Sequence, residues 1–136
     1  MVFHMNMRFL LYQPILNYIN TSYADIPSAS AIASHFSISS SYLSRLFRES
    51  LELSPYQYLM HIRLDEARRM LMKGASVTEA CYACGFSDCS YFIQYFKRKM
   101  GITPAKLRKM QSTLAILTKL HRSIFKKGNK QNGKRI

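Results

Sequence analysis

Three thiols, Cys81, Cys84 and Cys89, lie within nine positions of one another, and the C-x-x-C spacing of the first two is used by zinc and redox chemistry. A structural zinc site needs four ligands in a tetrahedral array, and no second pair of Cys or His lies nearby in the chain. Cys81 and Cys84 instead fall where small buried residues are needed between helices. The four histidines, His4, His35, His61 and His121, are scattered, with no nucleophile and acid at telling positions. Asp65 and Glu66 are adjacent carboxylates, but Arg68 and Arg69 follow at helical spacing, so ion pairing is expected rather than acid–base work. No glycine-rich phosphate loop occurs, and the eight methionines read as core filler. No catalytic centre, metal or cofactor is therefore expected.

The chemistry that remains is cationic. Lys and Arg number 20 against 7 acidic residues, a formal charge of +13 on 136 residues. The last acidic residue is Asp88, and 13 of the 20 cations follow it, from Lys97 to Arg135. Such an excess on one small domain points to a polyanion, with nucleic acid first. The apolar fraction of 48% allows a real core. No apolar run approaches the ~18 residues of a membrane span, so no membrane partner is expected. The odd number of cysteines excludes a fully paired disulfide framework, and the start MVFHMNMRFLLY lacks the features of a signal peptide. A reducing compartment, the cytoplasm, is the expected location.

The elements that position these groups are all helical by periodicity, and no strand candidate is found. A first helix is expected over about residues 8–21, with Pro14 in its first turns or restarting it. Asp25-Ile26-Pro27 breaks the chain. Ser28 caps a short helix with Ile32, Ala33 and Phe36 on one face. Ser39 to Ser41 cap the next, with Leu43, Leu46, Phe47 and Ser50 on its apolar side. Ser54-Pro55 starts a helix of about 19 residues that carries Tyr56, Leu59, Met60, Leu64, Ala67 and Leu71 inward. Ser76 opens another short helix ending at Gly85. Asp88 caps one with Phe92, Ile93 and Phe96 inward, closed by Gly101. Thr103-Pro104 starts again, Leu114 to Leu120 suggest a last helix, and KKGNKQNGKRI reads as a flexible basic tail that either solubilises or adds phosphate contacts.

Two of these stretches repeat at a spacing of 49 residues. SYLSRLFRESLELSP (Ser41–Pro55) aligns with SYFIQYFKRKMGITP (Ser90–Pro104), and upstream Ala33, Ser37 and Ile38 align with Cys81, Gly85 and Phe86 at a spacing of 48. Each copy is a short helix, a tight turn and a second helix. A small residue stands where helices must cross closely, and an apolar one plugs the turn. That is the build of a helix-turn-helix unit.

With both copies in view, the chain resembles the DNA-binding domain of the AraC/XylS family of bacterial transcription regulators. GFSDCSYFIQYFKRKMGITPAKLR, Gly85 to Arg108, is similar to that family's signature, and Arg63, Ala67 and Leu71 match its linker-helix pattern. The resemblance spans about residues 9–109. It implies an all-α fold of about seven helices, in two helix-turn-helix subdomains (about 28–50 and 76–100) joined by a long central linker helix (about 55–73). The domain would cover 8–109, followed by a basic extension over 110–136, partly helical and then flexible. Ser37 and Glu52 stand where the family usually has Gly, and the turn at Glu52 is expected to be strained or differently shaped. The family's usual aromatic before the last Arg is Leu107.

The resemblance also implies which residues meet DNA. The first recognition helix would present Ser40, Ser41, Ser44, Arg45 and Arg48. Arg45 would reach a guanine edge and Arg48 a phosphate. The second would present Cys89, Ser90, Tyr91, Gln94, Lys97 and Arg98. Gln94 would bond adenine or a phosphate, and Lys97 and Arg98 phosphates. Ser28, Ser76 and Thr103 either cap their helices or offer backbone N–H groups to phosphates. The expected partner is double-stranded promoter DNA, with RNA polymerase as a further one, and the expected role is activation. The competing expectation is a helical protein-interaction module whose basic tail is incidental. No stretch resembles a small-molecule effector domain, so the chain is read as a stand-alone regulator or as part of a longer one.

Overall fold

The computed structural model describes residues 2–133, with side chains from residue 10 to residue 124. Lys134 and Arg135 of the expected tail lie outside the described residues. Seven helices form among those described: α1 (Val2–Ser22), α2 (Ala29–His35), α3 (Ser40–Leu51), α4 (Pro55–Met72), α5 (Val77–Ala83), α6 (Cys89–Met100) and α7 (Pro104–Gly133). No described residue is in a strand. The all-α, seven-helix expectation is met.

Helix starts follow the sequence because single side chains satisfy the orphan N–H groups of each first turn. Ser28 accepts from the Ala31 N–H, Ser39 from Tyr42, and Asp88 from Ser90 and Tyr91. Ser54 and Ser76 go further. Each accepts from the third residue of its helix while that residue, Gln57 or Glu79, reaches back to the cap's own N–H, a reciprocal pair of bonds. Thr103 accepts from the Lys106 N–H at 3.2 Å. Ser28, Ser76 and Thr103 are thus all engaged as caps.

The core is two clusters strung on α4. Ile15, Ile19, Ile26, Ile32, Ala33, Leu43, Leu46, Phe47 and Leu59 form the first. Met60, Leu64, Ala67, Leu71, Ala80, Cys81, Cys84, Phe86, Phe92 and Phe96 form the second. Tyr58, Leu59 and Ile62 of α4 face the first cluster, while Met60, Leu64, Ala67 and Leu71 face the second from another side of the same helix. Each fully buried Leu, Ile or Phe contributes roughly 1.5–3 kcal/mol. Ala33 and Cys81, the small residues of the two copies, are both buried, and the turn after each is closed by a backbone bond back to it, from Ile38 and from Phe86.

Several expectations give way. α1 begins at Val2 rather than near residue 8 and runs through Pro14. Pro14 cannot donate to the Leu10 carbonyl, but both residues are exposed, so water reaches that carbonyl and the helix continues. Ser50, Tyr56 and Ile93 are exposed rather than inward. Ile93 sits one residue past Phe92, a rotation of about 100° that carries it off the core face, and Tyr95 packs there instead. One continuous α7 runs from Pro104 to Gly133, where a separate last helix was expected. Neither Gly nor Pro occurs between Ala105 and Lys127, and Ser112, Thr113 and Thr118 bond carbonyls four residues back rather than breaking the helix.

Ser37 (φ 55°) and Glu52 (φ 58°) adopt left-handed backbone without being glycine. Glu52 ends α3 as Gly101 (φ 77°) ends α6. A Cβ there costs about 1 kcal/mol or more, partly recovered because Gly is the more flexible residue when unfolded. Glu52→Gly is therefore expected to raise stability by up to about 1 kcal/mol, and Gly101→Glu to lower it by a similar amount. Thermal melts of the two variants check both signs.

Candidate nucleic-acid interface

Burying Leu43, Leu46 and Phe47 turns the opposite side of α3 outward. Ser40, Ser41, Ser44, Arg45 and Arg48 together line one shallow concavity on that side. All five expected residues are therefore side by side, with Ser44 half-buried and the others exposed. Among the described residues, the side chains of Arg45 and Arg48 make no hydrogen bond or ion pair. Their guanidiniums remain open to an outside acceptor.

On α6, burial of Phe92 and Phe96 exposes Ser90, Tyr91, Gln94, Lys97 and Arg98, while Cys89 at the first position is half-buried. Tyr95 organises part of this face. Its ring stacks against Tyr91 at 5.8 Å, carries the Arg98 guanidinium at 5.1 Å and the Lys99 ammonium at 5.8 Å, and faces Phe86 on its inner side. Cations held over an aromatic face lose mobility before any ligand arrives. Tyr56, at the start of α4, has its phenol pushed up by burial and then by its hydrogen bond with Tyr91. Tyr91 is thus both an exposed group and a tie between α4 and α6.

Sequence reasoning missed Tyr95, Lys99, Tyr56 and above all Arg63. Tyr95 was findable, since it shares one helix face with the expected Tyr91 and Arg98 at spacings of four and three. Arg63 was matched only as part of a pattern, yet it stands among α4 residues that face the core. Its Nε donates to the Tyr23 carbonyl at 2.8 Å and its Nη2 to the Ile26 carbonyl at 2.6 Å. Burial lowers its pKa from the usual arginine range. On the other side Gly85 approaches so closely that a Cβ would lie 2.7 Å from the Ala24 carbonyl and 3.1 Å from Arg63 Cζ. The remaining linker cations are neutralised locally: Arg68 pairs with Asp65 at 3.0 Å, and Arg69 with Asp65 at 3.1 Å and Glu66 at 2.8 Å.

The thiols sit as packing groups. Cys81 is buried and points at the Phe86 carbonyl at 3.8 Å, and Cys84 lies 3.8 Å from the Met70 sulfur. Burial, then the neighbouring Cys89, pushes the Cys81 thiol up to about 12. Burial, then Glu66, pushes Cys84 up to about 11. Among the described residues no group of three metal-ligating side chains comes together, and no helix is long and apolar enough to cross a membrane.

The paired helix-turn-helix geometry agrees with the relatives. The family model described as "Helix-turn-helix domain" matches residues 32–110. The chain belongs to the AraC-type family of helix-turn-helix transcription regulators. It is 36% identical over 101 residues to the uncharacterized HTH-type transcriptional regulator YijO of Escherichia coli K12, covering 73% of this chain and 35% of that one. It is 36% identical over 95 residues to the HTH-type transcriptional activator RhaS of Escherichia coli, covering 69% and 34%. The solved structure of an AraC-type regulator from Chromobacterium violaceum superposes with a TM-score of 0.63 at 30% identity, covering 74% of this chain and 94% of that one. The chain thus spans about a third of the length of the curated relatives YijO and RhaS.

Arg63→Ala removes two charge-assisted bonds and leaves two part-buried carbonyls short of donors. A loss of about 2–4 kcal/mol is expected, and Arg63→Lys should not recover it, because a single ammonium cannot span both carbonyls as a guanidinium fork does. Denaturant titration of the two variants measures this. For the thiols, alkylation of the native protein near neutral pH should modify Cys89 first and leave Cys81 and Cys84 protected until unfolding. Peptide mapping after a brief reaction would show whether the order holds.

Proposed function

We propose that the chain is the DNA-binding part of a transcription activator, and that α3 and α6 enter successive major grooves on one side of a duplex. The observation that carries this is the pair of helices with buried inner sides and polar, cationic outer sides, both packed against α4: Leu59 of α4 shares the first cluster with Leu43, Leu46 and Phe47 of α3, and Met60 and Leu64 share the second with Phe92 and Phe96 of α6. One protomer would then read two adjacent half-sites without two-fold symmetry.

In this reading Arg45 reads sequence. It is the one long polar side chain among the serines of the first turns of α3, and a guanidinium fork matches the two acceptors of guanine where a hydroxyl discriminates poorly. Gln94 offers the complementary amide that adenine accepts. Arg48, Lys97 and Arg98 bind phosphate, with Ser40, Ser41, Ser44, Cys89 and Ser90 packing along the groove walls and Tyr91 fixing the pose of α6. RhaS, a relative, is named a transcriptional activator, and activation through contact with RNA polymerase is proposed for this chain. The chain acts by binding rather than by catalysis, and no small-molecule effector is assigned to this stretch.

Arg45→Ala is expected to cost about 1–3 kcal/mol on the cognate site, to relax preference at one base pair, and to leave random-sequence binding nearly intact. Lys97→Ala should weaken all sequences alike and flatten the salt slope by about one unit from a parent value of roughly −5 to −9. Competition titrations on cognate and random duplexes at several salt concentrations separate the two. Equal losses for Arg45→Ala on both duplexes would make it a phosphate clamp, and salt-insensitive binding by the parent would remove the nucleic-acid reading.

A further inference from the structure

Tyr56 and Tyr91 stand apart from the two cores. Among the described residues, neither packs into a buried cluster, and they leave 48% and 44% of their surface exposed. Tyr56 is the second residue of α4, just past the turn that follows the end of α3 at Leu51, and Tyr91 lies in the first turn of α6. Their hydroxyls hydrogen-bond to each other. The bond therefore joins the chain leaving the first recognition helix to the outer face of the second.

A phenol offers one hydrogen and two lone pairs. When two phenols bond to each other, one hydrogen is used inside the pair and the other stays free, and the inner bond polarises the free O–H. Burial, then the bond to Tyr91, raises the Tyr56 phenol above its ordinary value, so it remains a donor at neutral pH. The surroundings are cationic. A charged side chain acting on the Tyr56 hydroxyl is the Arg63 guanidinium. Tyr91 stacks on Tyr95 at 5.8 Å, and the same Tyr95 ring carries Arg98 at 5.1 Å and Lys99 at 5.8 Å. A free donor in a cationic setting suits an anionic acceptor that has no hydrogens of its own. Along a duplex that is a phosphate oxygen rather than a base edge, where donors and acceptors are mixed.

We propose that the Tyr56–Tyr91 hydroxyl pair clamps one DNA phosphate where the backbone passes from the groove of α3 to the groove of α6. The inference rests on the function proposed above. It gives α4 a DNA contact of its own, made by a residue outside both helix-turn-helix units. Because a phosphate carries no sequence, the clamp adds affinity to all duplexes alike and fixes where α6 sits along the strand relative to α3.

Tyr56→Phe and Tyr91→Phe each remove one oxygen and keep the ring. Neither ring belongs to a core cluster, so both variants should keep the parent's thermal melt. Competition titrations use the duplex that the parent selects from a random pool, beside an unselected duplex. Each variant should bind both duplexes about tenfold more weakly, the scale of one hydrogen bond to a charged acceptor. The double variant should be little worse than either, because the two hydroxyls serve one contact. Replacing single phosphates of the selected duplex by neutral methylphosphonates locates the acceptor. One replacement between the two half-sites should weaken the parent about tenfold and Tyr56→Phe less than about twofold, a pattern that poorer support of α6 does not produce. Variants that bind like the parent, a loss confined to the selected duplex, or a scan in which every replacement weakens the parent and Tyr56→Phe alike would each overturn the clamp and leave the regulator reading standing. A parent that retains neither duplex would overturn both.

Discussion

The fold depends on what Arg63 does with its guanidinium. Two small cores threaded on one helix have no inherent reason to hold a fixed mutual angle, because each buries its own apolar residues without the other. The segment between α1 and α2 supplies the missing constraint. It is too short and too broken by Pro27 to satisfy its own carbonyls, and Arg63 reaches from the middle of α4 to take those of Tyr23 and Ile26. The charge is worth burying only because both acceptors are in place. Tyr23 packs against both core clusters, and Gly85 closes the junction from the second subdomain. One residue on α4 therefore ties the first turn region to the second helix-turn-helix.

That junction orders the electrostatics as well. With Arg63 committed to carbonyls, and Arg68 and Arg69 to Asp65 and Glu66, the linker presents little free charge. The unpaired cations are displaced to α3 on one side and to α6 and α7 on the other. A polyanion near this surface meets two cationic regions separated by a neutralised bridge. This follows from the placement of the acids, of which none comes after Asp88.

Local chemistry made most of the helices legible in the sequence. Ser39, Ser54, Ser76 and Asp88 each satisfy backbone donors within three residues, so their effect needs no tertiary knowledge. The inward pairs Leu43–Phe47 and Phe92–Phe96 of helical spacing and the small residues Ala33 and Cys81 were visible for the same reason. What stayed hidden required distant partners. Arg63 acts across 37 and 40 residues. Tyr56 has helical spacing with Leu59 and Met60 yet turns outward toward Tyr91, because a phenol can be half-solvated at no cost to the core. Pro14 looked like a helix start because a missing N–H is harmless there, but it is equally harmless on a solvent face. The span of α7 was broken up by its polar residues, whose hydroxyls in fact bond within the helix.

The two copies show why a turn glycine is replaceable in one and not in the other. Both turns after the first helix adopt positive φ, 55° at Ser37 and 94° at Gly85. If backbone preference alone decided the residue, the two sites would be equivalent within about 1 kcal/mol. They differ in surroundings. Ser37 is exposed, and φ near 55° lies within the left-handed region that other residues reach at modest cost. Gly85 lies beyond that region and has the Ala24 carbonyl 2.7 Å from where a Cβ would stand, with Arg63 behind it. Any side chain there would push apart the junction that Arg63 holds. The first copy tolerates a serine because its turn faces water. The second is constrained because its turn is part of the joint between the two halves.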